Sequence, residues 1–136
     1  QREREECIPI IKNNHLEPFV ILHGQLHGAS LDILFERCDL GVGSLGRHRS
    51  GITNIKTLKN REYAARGIPF IYSEIDEDFE TMPYIMKIPA NESSVNIQQV
   101  INFYNKIDLT PTKIRKSIKH LSWKEQMKKV ITSIKI

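Results

Sequence analysis

The chain has 136 residues, of which 40% are hydrophobic and 26% are charged, and its formal net charge is +4 at pH 7. This length allows one domain at most, and the composition is that of a globular protein, which excludes the disordered and fibrous classes. The apolar runs are far shorter than the roughly 20 residues that cross a membrane, so no transmembrane helix is predicted.

The two cysteines, Cys7 and Cys38, have the spacing neither of a disulfide framework nor of a zinc site. The histidines likewise show no metal-ligand spacing with each other or with acids. We therefore expect reduced thiols, a cytoplasmic protein and no bound metal.

Apolar periodicity and helix terminators predict alternating helices and strands. The first element is a helix over residues 2–13, with Pro9 disturbing its middle. A buried strand is predicted at 19–22, and Ser30 is predicted to cap the helix after it. The later predicted elements, in chain order, are a strand over 39–44, a helix over 58–66 capped by Thr57 and ended by Gly67, strands over 68–73 and 84–90, and helices near 94–106, 112–121 and 123–133.

This order predicts an α/β fold, a Rossmann-like parallel sheet with flanking helices. Only four strands are predicted, the first element is a helix, and the chain opens on Gln1 instead of Met. We therefore expect an incomplete domain, the back part of a larger one. Residues 1–110 would form the partial sheet domain, and residues 111–136 would add helices to the same domain. The acidic segment 74–80, "EIDEDFE", lacks the pattern of a calcium loop and is predicted to be a solvated surface loop.

The stretch Gly41-x-Gly43-x-x-Gly46 matches the glycine fingerprint of a dinucleotide-binding turn. That turn requires a helix to open at the third glycine and an acid about 20 residues further on, at a strand end. Here "RHRSGITNIK" is a poor helix, and Glu62 lies at the right distance but within a predicted helix. The alternative role for Gly41 and Gly43 is to let the strand pack closely and turn.

A second candidate site lies where the helix "LKNREYAAR" begins. The backbone N–H groups of Leu58, Lys59 and Asn60 lack partners within the helix, and the positive end of the helix dipole lies behind them. This arrangement suits an anion such as a diphosphate. Cations of the preceding loop could close around the same place, namely Arg47, Arg49 and Lys56.

Glu62 lies one turn further into this helix. A carboxylate there could hold ribose hydroxyls beside a bound diphosphate. It could equally form a surface ion pair with Arg66, four residues on. Spacing alone leaves both interpretations open.

The quoted residues resemble a known family. The stretches "CDLGVGSLGRHRSGI" and "LKNREYAARGIPFIYS" are similar to the C-terminal, nucleotide-sugar-binding half of a retaining GT-B glycosyltransferase of bacterial polysaccharide biosynthesis. The resemblance covers most of the chain and is most specific over residues 39–73. Residues that match individually are Gly43, Ser44, Leu45, Gly46, His48, Arg49, Gly51, Leu58, Lys59, Arg61, Glu62, Tyr63, Ala65, Gly67 and Pro69.

The resemblance implies a substrate, a nucleotide-sugar donor carried on UDP, GDP or a similar nucleotide, and no metal or other cofactor. By resemblance, Glu62 holds the donor ribose. The amides of residues 58–60, with Lys59 and Arg49, face the diphosphate, while His23 and Gly24 border the base. Asn54 stands where the related Glu-x7-Glu pattern has its earlier glutamate.

The resemblance also implies an N-terminal acceptor domain that these residues do not include, so the chain alone is not expected to be active. A non-catalytic nucleotide-binding or interaction module of similar α/β fold is the alternative function.

The C-terminal part is basic, since nine Lys/Arg from Lys106 onward face only Asp108 and Glu125. Two apolar stripes accompany the charge, and packing against the sheet or the implied second domain is their main predicted role. Peripheral contact with anionic lipid at the inner face of the membrane is the alternative. No nucleic-acid partner is predicted, because no aromatic platform or reading motif accompanies the lysines. The stripes are Ile114, Ile118 and Leu121, then Met127, Ile131 and Ile134.

Overall fold

A computed structural model describes residues 2–134, with side chains from residue 5 onward. The chain divides into two compact units, residues 1–36 and residues 37–136. The first unit contains helix α1, Arg2–Asn13, and helix α2, Ala29–Glu36. The predicted bounds of α1 are confirmed, with Pro9 inside the helix.

The predicted strand at 19–22 is wrong. The amides of Phe19 and Val20 both donate to the carbonyl of Leu16 at 2.9 Å, which closes a turn instead of extending the backbone. The side chains of Phe19 and Ile21 are 81% and 71% exposed, so the apolar run is not buried within its unit. Apolar composition alone does not distinguish a buried strand from an apolar turn.

Ser30 does not cap α2, because it lies inside the helix. The carbonyl of Gly28 accepts from the amides of Leu31 and Asp32, so Gly28 holds the N-cap position. Its φ of +54° lies in the left-handed region, which glycine adopts without steric cost.

The second unit is built on a three-stranded parallel sheet in the order β1, β2, β3. Its register places Gly41 beside Phe70 and Phe70 beside Ile85. This mixed α/β arrangement is compatible with the predicted Rossmann-like fold. The strands are β1 (Gly41–Val42), β2 (Phe70–Tyr72) and β3 (Ile85–Lys87), and the helices are α3 (Leu58–Arg66), α4 (Ile97–Lys106), α5 (Pro111–Ser117) and α6 (Trp123–Ile134).

Strand β2 lies in the middle of the sheet and divides the core into two parts. Its successive side chains point to opposite faces. Phe70 therefore packs in a cluster with Ala64 of α3 and Ile114 of α5. Ile71 packs on the other side with Ile88 and with Val100 of α4.

Helix α3 has the bounds that the sequence predicts. It ends at Gly67, whose φ of 78° is left-handed. A side chain there would also collide with α5, because a Cβ would lie 2.6 Å from the carbonyl oxygen of Pro111. Gly67 thus ends α3 and lets α5 pack closely against it.

Candidate functional site

The carboxyl ends of the three parallel strands lie at one edge of the sheet, the place where α/β folds bind ligands. After β1, the carbonyl of Ser44 accepts from the amide and the hydroxyl of Ser73, which follows β2, at 3.0 and 3.1 Å. The amide of Arg47 donates to Oε1 of Glu74 at 2.7 Å. These contacts hold the loops after β1 and β2 together.

Helix α3 starts at the same edge. Thr57 occupies the N-cap position with extended backbone, as predicted, but its side chain makes no capping hydrogen bond. Its hydroxyl is buried without a hydrogen-bond partner among the described residues. Leu58, the first helical residue, is 83% exposed, and Lys59 is exposed too. The N-cap side chain therefore leaves the amides of this first turn, whose first two residues are exposed, uncapped.

The inner side of α3 is fixed by the acidic segment after β2. Asn60 is fully buried, and its Nδ2 donates to Asp76 at 3.1 Å. Arg61 donates to both oxygens of Asp76, at 3.1 and 3.2 Å, and also pairs with Asp78. Burial alone would lower the pKa of Arg61, but the two carboxylates raise it. This network anchors the start of α3.

The prediction that segment 74–80 is a solvated loop is therefore wrong in part. Glu74 and Asp76 are 1% and 0% exposed. Glu80 accepts from the hydroxyl of Tyr72 at 2.7 Å and from Lys87 at 2.9 Å. Acidity alone predicts solvation, but the buried Asp76 accepts from Arg61 and Asn60, and the buried Glu74 accepts from the backbone amide of Arg47. Glu80 is exposed, as predicted.

Two of the three fingerprint glycines, Gly41 and Gly43, lie where neighbouring atoms leave no room for a side chain. A Cβ on Gly41 would lie 2.7 Å from the ring of Tyr63, and one on Gly43 would lie 2.8 Å from Oδ1 of Asn60. After Gly46 the chain forms a short 3-10 turn, Arg47–Ser50, instead of an α-helix. Gly41 and Gly43 thus allow α3 to approach β1 closely, and the turn lacks the helix that a dinucleotide fingerprint requires.

Besides the hydroxyl of Thr57, two buried side chains at this edge keep an acceptor oxygen without a partner among the described residues. These are Oδ1 of Asn60 and Oε2 of Glu74, both on residues that are at most 1% exposed. Buried acceptors are normally satisfied, so a donor from outside the described chain is expected here. A water molecule or a ligand hydroxyl has the required chemistry.

Arg49 is bound by an acid from the loop after β3. Its Nε donates to Oε1 of Glu92 at 2.8 Å, its Nη2 pairs with the other oxygen, and His48 Nε2 lies 2.9 Å from Oε1. These contacts, first with Arg49 and then with His48, lower the pKa of Glu92 to about 2. The predicted diphosphate ligand Arg49 therefore already contacts a carboxylate.

Glu62 is 44% exposed and forms an ion pair with Arg66. This pair is one of the two interpretations that the sequence left open for Glu62. Nε and Nη2 of Arg66 donate to Oε1 of Glu62 at 3.1 and 3.0 Å. Lys56, another loop cation, lies 3.8 Å from Glu77.

The remaining predicted site residues, His23 and Gly24, belong to the unit of residues 1–36 and not to the unit that holds α3. His23 is exposed, and Gly24 has a left-handed φ of 71°. The candidate site described here is confined to residues 37–134.

Within residues 2–134, no group of three or more His, Cys, Asp or Glu side chains is arranged to hold a metal ion. No helix in that range is long and apolar enough to cross a membrane. Comparison of the chain with family models, curated proteins and solved structures found no match.

Proposed function

We propose that the start of α3 binds the diphosphate of a nucleotide-sugar and that Glu62 holds its ribose. The chain would then be the donor-binding part of a GT-B-type glycosyltransferase that acts on a saccharide or lipid-linked acceptor. The observation that carries this proposal is that α3 begins without an N-cap side-chain bond, with its first two residues, Leu58 and Lys59, exposed at the carboxyl edge of a parallel sheet. Helix starts of this kind bind phosphate through free amides and the helix dipole.

Two cations near the start of α3 support an anionic ligand. Lys59 and Arg47 are exposed, and neither makes an ion pair within the described part of the chain. Each can therefore approach a phosphate without first breaking a bond to a carboxylate. Because the first turn also presents backbone donors, the ligand would receive both cationic and dipolar stabilisation.

The ion pair between Glu62 and Arg66 does not prevent the proposed ribose contact. Exposed pairs of this spacing contribute only about 0.3–0.5 kcal/mol. A hydrogen bond to a charged group contributes about 1.5–3 kcal/mol, so hydroxyl groups that contact Glu62 would outweigh the loss of the pair.

In sugar transfer, negative charge develops on the leaving diphosphate as the glycosidic bond breaks. The amides and dipole of α3 would stabilise that charge, which is the proposed contribution of this chain to catalysis. We assign no catalytic residue. The acceptor would bind on the second domain that the resemblance implies.

Calorimetric titration of the chain with UDP, GDP and NAD tests the proposal. We expect a nucleoside diphosphate to bind, and Glu62→Gln to weaken it roughly tenfold or more, since a charged hydrogen bond is lost. Glu125→Gln is the matched control, because Glu125 is also a helical carboxylate in an exposed ion pair, with Lys128. Preference for NAD, or equal binding by Glu62→Gln and the wild type, would contradict the proposal.

A further inference from the structure

Helix α6 presents an apolar face that is exposed along its whole length. Trp123 and Ile134, near its two ends, are 80% and 69% exposed, and no residue of the helix is buried. At 100° per residue, the apolar side chains fall on one stripe about 100° wide. The stripe consists of Trp123, Met127, Val130, Ile131 and Ile134.

The helix is joined to the rest of its unit mainly at its first turns. The side chain of Gln126 donates to the carbonyl of His120 at 2.7 Å, and its amide donates to Ser122 at 2.9 Å. Met127, Ile131 and Ile134 were predicted to pack against the sheet or the implied second domain. All three are exposed in the described unit, so they do not pack against the sheet, and the second alternative stays a prediction.

The polar face of α6 carries three lysines. Lys124 lies next to the apolar stripe on one side, while Lys128 and Lys129 lie further round the helix, and Glu125 is the single acid among residues 123–134. More positive charge precedes α6 in the chain, at Lys113, Arg115, Lys116 and Lys119.

Helix α4 provides an informative contrast. It too exposes apolar side chains on one face, with Ile97 at 63%, Ile101 at 46% and Tyr104 at 39%. Its other residues are uncharged apart from Lys106. An exposed apolar face thus occurs twice in this unit, but only on α6 does it coincide with a cluster of lysines.

We propose that α6 binds an anionic lipid surface, lying in the plane of the interface with its apolar stripe among the acyl chains and its lysines at the headgroups. An apolar stripe beside a basic face is the pattern of an interfacial helix, and tryptophan favours the boundary between headgroups and acyl chains. With 12 residues, α6 is too short to cross the membrane. This surface is separate from the proposed nucleotide site at the start of α3.

The chain contains its own probe, because Trp123 is its only tryptophan. Vesicles of phosphatidylcholine containing about one third phosphatidylglycerol should bind the protein and shift the Trp123 emission to the blue, whereas pure phosphatidylcholine should bind weakly. Binding should fall when ionic strength rises from about 0.1 to about 1 M, because the Debye length drops from about 10 to about 3 Å.

Variants separate the contribution of the lysines to vesicle binding from that of the apolar stripe. Lys128→Gln with Lys129→Gln should weaken vesicle binding by about fivefold per lysine removed, without affecting the fold, since both side chains are exposed. Trp123→Ser with Ile131→Ser should abolish co-sedimentation with vesicles. The control, Ile97→Ser with Ile101→Ser, removes another exposed apolar pair, from α4, and should bind like the wild type.

The proposal is overturned if the wild type neither sediments with anionic vesicles nor changes its emission. It is also overturned if the α4 control loses as much binding as the α6 variant. A third result would assign the stripe to a second copy of the chain instead. The protein would not bind vesicles but would form a concentration-dependent dimer, and Trp123→Ser with Ile131→Ser would convert that dimer to a monomer.

Discussion

The carboxylate of Glu92, in the loop after β3, pairs with the guanidinium of Arg49, in the loop after β1. The two residues are 43 positions apart, and their pairing joins the first and third strands of the sheet at the carboxyl edge. Both side chains are more than half exposed, so the pair is accessible to solvent and to a ligand. Glu92 thus contacts the cation that the sequence predicts for a donor diphosphate.

Glu92→Gln should strengthen nucleoside diphosphate binding. The substitution removes a negative charge that competes with phosphate for Arg49 and His48. We expect a gain of no more than about fivefold, because water weakens the effect of one charge at a distance of about 4 Å. Calorimetry with UDP or GDP measures the gain, and adding Arg49→Gln should cancel it. A weaker affinity in Glu92→Gln would show that Glu92 itself contacts the ligand.

The acidity of Glu92 should depend on Arg49. In the folded protein its pKa is lowered to about 2, first by Arg49 and then by His48. A lowered pKa means that the contribution of Glu92 to stability is present above the unfolded pKa of about 4.3 and is lost as pH falls toward 2. An NMR titration of the Glu92 carboxyl should show the low pKa, and Arg49→Gln should raise it. An unchanged pKa in Arg49→Gln would contradict the observed pairing.

Arg61→Met should destabilise the protein far more than a surface change. The substitution leaves the fully buried Asp76 without its cationic partner, and we expect a loss of about 3 kcal/mol in the free energy of unfolding. Lys56→Met is the control, because Lys56 pairs with an exposed acid of the same segment, Glu77, and should cost about 0.5 kcal/mol or less. Urea denaturation followed by circular dichroism measures both. Equal losses would mean that the Asp76 network does not anchor α3.

Two fingerprint glycines should differ sharply in their tolerance of alanine. A Cβ at Gly43 would lie 2.8 Å from Asn60 Oδ1 and 2.9 Å from Cβ of Tyr72, both in the interior. Gly43→Ala should therefore cost about 1–3 kcal/mol from overpacking. Gly46→Ala meets nothing within 4 Å at a φ of −128° and should change stability by less than about 0.5 kcal/mol. Thermal unfolding measures the stability of both variants. If Gly43→Ala is no less stable than Gly46→Ala, Gly43 is not needed for close packing.

Local signals in the sequence were sufficient for α3. Its start after Thr57 and its end at Gly67 follow from residue types whose backbone preferences are strong. The same kind of reasoning was wrong at 19–22, because an apolar run becomes a strand only when a neighbouring strand accepts its hydrogen bonds. The preference of threonine for N-cap positions also predicts the place of Thr57. Its hydroxyl is nevertheless buried and makes no hydrogen bond to the helix amides, because tertiary packing decides where the side chain lies.

The partners of the site residues could not be predicted from local sequence. The Arg61–Asp76 and Arg49–Glu92 pairs join residues 15 and 43 positions apart, and the sheet register brings them together. Charge content had predicted only that the acidic segment would be solvated. The predicted order of strands and helices nevertheless implies a parallel sheet, in which all three strands have their carboxyl ends at one edge. Since Glu92 follows the third strand, it could have been predicted as a residue of the candidate site.

The central claim is that the first-turn amides of α3 bind a diphosphate. Proton–nitrogen correlation spectra of the ¹⁵N-labelled chain, recorded during titration with UDP, test it most directly. We expect the amide signals of Leu58, Lys59 and Asn60 to shift together and saturably, and inorganic diphosphate to shift the same signals. Saturable shifts elsewhere, with these three amides unmoved, would contradict the claim.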